Sequence, residues 1–245
     1  MMTPSEKIAW LISGDLTIAV KANDSDKNIF CSPVLQLIHH VYSTYPQDAH
    51  RILRARILTT ESESMALRRI VRVAAKRIAF VAEPSRSVAD AAIEAPIRQL
   101  EANPIMSSLD LQLFSDDLSK ILLVKSLAEN VPTEANRYSS NRKIAAALFR
   151  SDGKCFAAST NTNQTNRLKH AEWNLLLHAT EKLGGKIPSD WTIATSLSPC
   201  SMCGEIITKC CIDGSEQKVI YLDEDVGTLG KNLSLSQMRK IDLTM

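Results

Sequence analysis

Hydrophobic and polar positions alternate in short runs along the chain, and this pattern predicts strands and amphipathic helices in both halves. In the first half a strand is predicted at 16–21. A helix is predicted to begin at Ser32-Pro33, because proline is favoured in the first helical turn and serine just before it. Further strands are predicted at 28–31, 56–60 and 77–81, and further helices at 65–76 and 87–100. This order is typical of an α/β fold.

The second half has the stronger local signals. Two predicted strands, 143–149 and 155–160, flank Asp152-Gly153, and Asp-Gly between two such runs favours a hairpin. A helix from about His170 is predicted to end at Gly184-Gly185, a good C-cap. The remaining predicted elements are helices at 118–130, from Pro199 to about 213 and at 234–240, and strands at 191–197 and 218–222.

The best candidate for a domain boundary is the polar stretch Asn103–Ser108, which contains Pro104. It predicts an N-terminal α/β domain, residues 1–108, and a C-terminal domain, residues 109–245. Both halves offer two strands followed by helix, strand and helix, although no residue-level repeat relates them. The N-terminal domain is therefore interpreted either as a degenerate pseudo-repeat of the second domain or as an unrelated α/β piece.

Composition narrows the class of protein. Of 245 residues, 44% are hydrophobic and 23% charged, with a net charge of +2, which excludes wholesale disorder. No run approaches 18 apolar residues and no signal peptide is evident, so we expect no membrane span and a cytoplasmic location by default. Four of the six cysteines crowd into residues 200–211, which in such a chain favours metal binding or catalysis over disulfides.

The candidate chemistry lies in two short motifs, His170-Ala171-Glu172 and Pro199-Cys200-Ser201-Met202-Cys203. A C-x-x-C pair at a helix start places both sulfurs on one side of the first turn, where the helix dipole favours the thiolate that binds zinc. A second helix that begins at His170 at the same sheet edge would aim its histidine at the same ion. Three ligands leave the fourth tetrahedral position open, as in catalytic zinc sites. Glu172 would then act as a proton shuttle.

Two other interpretations of the cysteines stay open at this stage. One is a redox C-x-x-C pair, which does not explain His170 or Glu172. The other is a structural four-cysteine zinc site that uses Cys210 and Cys211, although adjacent cysteines rarely chelate one ion and no second C-x-x-C is present. We expect Cys210 and Cys211 to face the core instead.

The two motifs together resemble the signature H-x-E…P-C-x-x-C of the zinc-dependent cytidine deaminase-like superfamily. The resemblance covers roughly residues 116–237 and implies a three-layer α/β/α domain with one Zn²⁺ per chain, held by His170, Cys200 and Cys203. It implies hydrolytic deamination of a cytosine- or adenine-type base, with attack by zinc-held hydroxide and Glu172 as general acid/base. Histidine as first ligand is similar to the tRNA adenosine, guanine, deoxycytidylate and polynucleotide cytidine deaminases, so the base and the form of the substrate stay open.

The same resemblance implies three substrate contacts. Asn161, which follows the second strand of the hairpin, would contact substrate, with Asn163 as a competitor for this role; the Ala171 N–H would bond the ring, and Ser198 would lie near the leaving amino group. The implied partner is a nucleotide or nucleic acid, and the assembly is either a homo-oligomer or an internal pseudo-dimer through the N-terminal domain. An alternative function is a zinc-stabilised nucleic-acid-binding module that has lost turnover, although a purely structural site has no use for Glu172.

Two groups of basic residues bear on the partner. Eight lysines and arginines lie between Arg51 and Arg77, which suits nucleic-acid contact or simply a solvated surface. Arg167 and Lys169 precede the first candidate zinc ligand and are interpreted as phosphate contacts, with Arg137, Arg142 and Lys143 as further candidates. The acidic run Asp223-Glu224-Asp225 would repel a polynucleotide unless it is turned away.

Overall fold

A computed structural model describes residues 7–22, 28–94, 113–132, 142–164, 166–225 and 235–243. The chain divides into two compact units, Met1–Leu100 and Glu101–Met245. The predicted boundary at Asn103–Ser108 lies outside the described residues, as do residues 95–100 and Arg137. Within the described residues the helix predicted at 87–100 is wrong beyond Ala91, because the helix covers Arg86–Ala91 and Ile93–Glu94 pair as a strand with Val20 and Lys21. Among the described residues, no helix has the length and apolar character needed to cross a membrane.

The N-terminal unit is built on a five-stranded sheet with the strand order β4-β3-β1-β2-β5. β1 is antiparallel to both β2 and β3, whereas β4 is parallel to β3 and β5 is parallel to β2. Gly14, with φ +62°, allows the tight turn between β1 and β2. The elements are β1 (Lys7–Ser13), β2 (Leu16–Ala22), α1 (Pro33–Thr44), α2 (Ala49–Ile52), β3 (Arg56–Thr59), α3 (Met65–Val71), β4 (Arg77–Phe80), α4 (Arg86–Ala91) and β5 (Ile93–Glu94).

Side chains that alternate along β1 divide this sheet into two buried faces. Ile8 and Trp10 cluster with Val88 of α4, whereas Ala9 and Leu11 are also buried, and their side chains point to the opposite face by the period of two along a strand. Helix α1 packs against β1, β2 and β3. The predicted start of α1 is confirmed, since the Ser32 hydroxyl accepts a hydrogen bond from the N–H of Leu35 and proline occupies the first turn.

The C-terminal unit contains a second five-stranded sheet with the order β10-β9-β8-β6-β7. The predicted hairpin is confirmed, because β6 and β7 pair antiparallel around a turn in which Gly153 adopts φ +81°. β6 is also antiparallel to β8, while β8, β9 and β10 run parallel. The elements are α5 (Asp117–Glu129), β6 (Ala145–Phe149), β7 (Cys155–Thr160), α6 (Ala171–Leu183), β8 (Thr192–Leu197), α7 (Ser201–Cys210), β9 (Lys218–Asp223) and β10 (Met238–Lys240).

Helices cover both faces of this sheet, which confirms the three-layer α/β/α arrangement. On one face, Ile121 and Val124 of α5 cluster with Ala147 and Phe149 of β6. α6 packs against β6, β7 and α7, and its Trp173 is buried as expected. Helix α6 follows β7 and helix α7 follows β8, and these two strands point in the same direction. Both helices therefore begin at the carboxyl edge of the sheet, where ligands of open α/β sheets bind.

The carboxylate of Asp117 links helix α5 to the sheet of this unit. Asp117, at the start of α5, lies 2.9 Å from the ammonium of Lys218 in β9 and 3.5 Å from that of Lys120, and it also contacts the guanidinium of Arg239 in β10. Burial opposes ionisation of Asp117, but the three cations outweigh it and hold the pKa of its carboxyl below the ordinary value.

The structure corrects several predicted elements. Residues 28–31 form no strand but a short 3-10 helix, Ile29–Cys31, because the Asn28 side chain accepts from the Phe30 N–H and turns the backbone. The helix predicted at 65–76 ends at Val71. Within the last predicted helix, at 234–240, Met238–Lys240 instead form strand β10, which gains ladder hydrogen bonds beside β9.

The two sheets share one four-strand topology. In each, the first strand of a hairpin lies between its two antiparallel partners, which are the second and third strands of the unit, and the fourth strand is parallel to the third. In each unit a helix follows the hairpin and another follows the third strand. The sequence predicts 16–21 and 28–31 as the first pair of strands, whereas the structure pairs β2 with β1, which the sequence analysis did not predict. With this pair the two units share element order, strand order and strand direction.

Candidate metal centre and active site

Two helix starts deliver the candidate ligands to one place. His170 is the N-cap residue of α6 and Cys200 is the N-cap residue of α7, both with extended backbone, so each side chain lies at the end of its helix rather than along a flank. Cys203 follows one turn into α7. Pro199 is therefore not in the first helical turn, as the sequence suggested, but one residue before the N-cap. There it ends the extended segment after β8.

The ligand atoms form a nearly equilateral triangle. His170 Nδ1 lies 3.6 Å from Cys200 Sγ and 3.5 Å from Cys203 Sγ, and the two sulfurs are 3.6 Å apart. A tetrahedral zinc with Zn–S of about 2.3 Å and Zn–N of about 2.0–2.1 Å requires about 3.6 Å between nitrogen and sulfur and about 3.8 Å between sulfurs. The three residues therefore fit a zinc ion with a fourth position free for water or substrate.

The charges of the two cysteines also suit a cation. A hydrogen bond from the Cys203 thiol and the neighbouring His170 ring hold the pKa of the Cys200 thiol well below its ordinary value. Burial, together with the Cys200 sulfur, raises the pKa of the Cys203 thiol well above its ordinary value. Two thiolates at this distance thus repel each other unless a cation lies between them, and a divalent metal removes that penalty.

Glu172 lies beside the triangle without being part of it. Glu172 is 4% exposed and its carboxyl is within hydrogen-bonding reach of the Cys203 thiol, yet it is not one of the three residues whose ligand atoms converge. Burial, and then the negative charge of Cys200, raises the pKa of the Glu172 carboxyl. The Glu172 carboxyl is thus protonated more readily than an exposed glutamate.

The three predicted substrate contacts surround the same sheet edge. Asn161 is buried directly after β7, where its Nδ2 donates to the Arg142 carbonyl and to Asn163 Oδ1. Ala171 is the first residue of α6, so its N–H has no partner within the helix. Ser198 is buried after β8, and its hydroxyl accepts from the Asp225 N–H at 2.7 Å. The roles of these three residues stay predictions.

A residue that the sequence analysis missed holds the loop before His170. Asn174 is buried one turn into α6, and its Nδ2 donates to the Thr160 carbonyl and to the Thr162 hydroxyl, at 2.9 Å each. The Thr162 N–H in turn donates to the Lys169 carbonyl. The signal in the sequence was a polar residue four positions after His170, on the otherwise apolar inner face of the helix.

The acidic run after β9 is partly neutralised. The guanidinium of Arg142 lies 3.3 Å from the Asp225 carboxylate, and the Tyr221 hydroxyl donates to Glu224, which raises the pKa of that hydroxyl to about 12. The Arg142 guanidinium thus forms an ion pair with a carboxylate, which weakens its interpretation as a phosphate contact. Cys210 and Cys211 are buried away from the triangle, as expected.

The N-terminal unit has no such ligands at the topologically equivalent places. Its helix after the hairpin has Ser32 at the N-cap where α6 has His170, and its helix after the third strand has Ser64 where α7 has Cys200. The Ser32 hydroxyl donates to the carboxylate of Glu61 at 2.9 Å, and both residues are buried. A polar hydrogen bond thus occupies the position that the metal triangle has in the C-terminal unit.

Comparisons with known proteins agree with this geometry. Residues 135–241 match the family model described as Bd3614-like deaminase. No curated protein matches the chain. Among solved structures, a guanine deaminase from Nitrosomonas europaea is 17% identical, with 54% of this chain and 79% of that chain covered and a TM-score of 0.38.

Two further solved structures are similar over about half of the chain. A dCMP deaminase from the cyanophage S-TIM5 is 20% identical over 51% of this chain and 95% of its own, with a TM-score of 0.35. A structure of tRNA:A34 deaminases is 19% identical over 50% of this chain and 93% of its own, also with a TM-score of 0.35. At such values these neighbours carry no weight for the activity of this chain. The family match covers less than half of the chain and includes both motifs, so residues 135–241 are similar to a deaminase family.

Proposed function

We propose that the C-terminal unit is a zinc-dependent enzyme that hydrolytically removes the amino group of a cytosine- or adenine-type base, in a nucleoside, a nucleotide or a nucleic acid. One observation carries the proposal: a three-atom triangle of His170, Cys200 and Cys203 with zinc-like spacing, beside the buried carboxyl of Glu172. It lies within the segment that matches a deaminase family. His170, Cys200 and Cys203 would hold the ion.

The reaction exchanges an amino group for oxygen with balanced atoms: base C–NH₂ and water give base C=O and ammonia. Zinc at the triangle would supply a water activated for attack near neutral pH. Glu172 would accept one proton from that water at a carboxyl oxygen and pass it to the ring nitrogen. It would then carry a second proton, from the hydroxyl now attached to the ring carbon, to the departing amine. A carboxyl in this position is needed for turnover and not for holding the metal, which separates the enzyme from a structural zinc site.

The remaining residues would orient the base. The Ala171 N–H, which has no acceptor within α6, would donate to a ring carbonyl or ring nitrogen. Asn161 is held by two hydrogen bonds from its amide group, so its position is set before substrate arrives. Ser198 is fixed through Asp225 and would lie near the leaving group. The N-terminal unit would be a degenerate copy of the same fold, without ligands of its own.

Ammonia release over a panel of substrates tests the proposal. The panel contains nucleosides, nucleotides, free bases, single-stranded DNA and RNA that includes tRNA, and the matched variant is Glu172→Gln, which keeps the size of the side chain. We expect ammonia from the wild type alone and about one zinc in both proteins. Zinc in both with ammonia from neither would favour a binding module without turnover. Absence of zinc from wild type that was purified without chelator would refute the proposal.

A further inference from the structure

A groove in the N-terminal unit concentrates positive charge. Its volume is about 660 Å³, and six of the nine residues that line it are basic. None of these nine described residues is acidic. The lining residues are Arg56, Met65, Arg68, Arg69, Arg72, Lys76, Arg77, Ile78 and Ala79.

Folding of this unit brings some of these positively charged side chains close together, although they repel one another. Arg56 and Arg77 are direct cross-strand neighbours in the parallel pair of β3 and β4. Like charges in that relation destabilise a sheet. Arg72 follows at the end of α3. Among the described residues, no carboxylate lies within ion-pair distance of these three guanidinium groups, whereas the nearby Arg68 pairs with Glu63 at 2.7 Å.

The groove is not purely ionic. Met65 is 64% exposed at the rim of the groove, and Ile78 and Ala79 add further apolar surface. Arg68 lies over the ring of Phe80, with 4.9 Å between its guanidinium carbon and the ring centroid. Cationic groups for phosphates next to apolar and planar groups for bases are the combination that single-stranded nucleic acids bind. A base-paired duplex would have no use for the apolar rim.

We propose that this groove, lined by Arg56, Arg72, Arg77 and their basic neighbours, binds the backbone of a single-stranded nucleic acid. The groove thus gives the N-terminal unit a function of its own, although its described residues form no metal-ligand cluster. Binding at the groove does not depend on the proposed deamination, because the contacts are to phosphates and base faces. A failure of nucleic-acid binding at the groove would therefore leave the proposed deamination unaffected, and the reverse is also true.

The test measures fluorescence anisotropy of the full chain with labelled 20-residue oligouridylate and oligothymidylate, whose bases have no amino group to lose. The test variant is Arg56→Gln/Arg72→Gln/Arg77→Gln, and the matched control is Arg51→Gln/Arg54→Gln/Arg86→Gln, three exposed arginines outside the groove. Each phosphate contact on a single strand contributes about 0.7 to the salt slope, so three lost contacts weaken binding about 100-fold at ~0.1 M salt and reduce the slope by about 2. We expect this for the test variant and a change below about 5-fold for the control.

The melting temperature distinguishes binding from a structural role. Because neutral side chains remove the repulsion between Arg56 and Arg77, we expect the test variant to melt at the wild-type temperature or above it. A lower melting temperature with unchanged binding would overturn the proposal. Equal weakening by both triple variants would also overturn it, as would binding of heparin or of a 20-base-pair duplex as tightly as the single strands.

Discussion

Replacement of Asn174 by alanine tests whether the loop before His170 is positioned by helix α6. The Asn174 side chain is 1% exposed and makes two hydrogen bonds of 2.9 Å, to Thr160 and Thr162. A buried hydrogen bond contributes about 1 kcal/mol, and an acceptor left unpaired adds about 1 kcal/mol more. Alanine returns about 0.5 kcal/mol of helix propensity. For two hydrogen bonds and one acceptor left unpaired, we expect the free energy of unfolding of the C-terminal unit to fall by about 2.5 kcal/mol.

Function should respond in a particular way. The threonines that Asn174 holds flank Asn161, so a loosened loop impairs substrate binding before it impairs the metal site. With the deamination assay in hand, we expect Asn174→Ala to raise KM more than it lowers kcat and to leave zinc content unchanged. The amide of Thr162, which donates to the Lys169 carbonyl, should exchange its hydrogen faster.

The assay is chemical denaturation followed by tryptophan fluorescence, together with hydrogen exchange. The matched control is Asn130→Ala, in which an exposed asparagine loses one hydrogen bond to the Ser126 carbonyl; its effect should stay within about 0.5 kcal/mol. A loss for Asn174→Ala no larger than that of the control would refute the reasoning. So would loss of zinc at unchanged stability.

Three further outcomes follow from the C-terminal unit and its cysteines. Because the folded-state pKa of Asp117 is depressed, its ion pairs stabilise the fold above the unfolded pKa near 4, and this stabilisation is lost as pH falls through the folded pKa. In denaturation curves, Asp117→Asn should therefore be less stable than the wild type at pH 7 and should lose less stability than the wild type between pH 5 and pH 2. Gly153→Ala should lower the melting temperature, because a Cβ at φ +81° would lie 2.9 Å from the Phe114 carbonyl oxygen; an unchanged melting temperature would contradict the turn geometry. In the zinc-loaded protein a thiol reagent should modify Cys31 first, since the other five cysteines are buried; rapid, reversible oxidation of the C-x-x-C pair would support the redox alternative instead.

The sequence was sufficient for the parts of the fold that local chemistry determines. Ser32-Pro33 gave the start of α1 and Asp152-Gly153 gave the hairpin, because capping and turn preferences act within a few residues. The helix predicted at 234–240 is wrong for the opposite reason. Its composition favours a helix, but pairing of β10 with β9, a tertiary effect, makes part of it a strand. The 3-10 turn after Asn28 depended on a single side-chain hydrogen bond that period alone does not reveal.

The candidate site shows the same division. Motif spacing was enough to select His170, Cys200 and Cys203, since two helix starts at one sheet edge bring them within 3.6 Å of one another. The hydrogen bonds and ion pairs around these three residues could not be predicted from the sequence. The bond from Asn174 to the strand end and the pairing of Arg142 with Asp225 join residues that are distant in sequence or hidden in an amphipathic pattern.

The most direct test of the metal centre is X-ray absorption at the zinc edge of the purified wild-type chain. We expect two sulfur ligands at about 2.3 Å and two nitrogen or oxygen ligands at about 2.0–2.1 Å, the second of which exchanges with solvent or substrate. His170→Ala should remove one nitrogen ligand and most of the zinc. Four sulfur ligands, or a wild-type chain that binds no zinc, would contradict the assignment of a catalytic site.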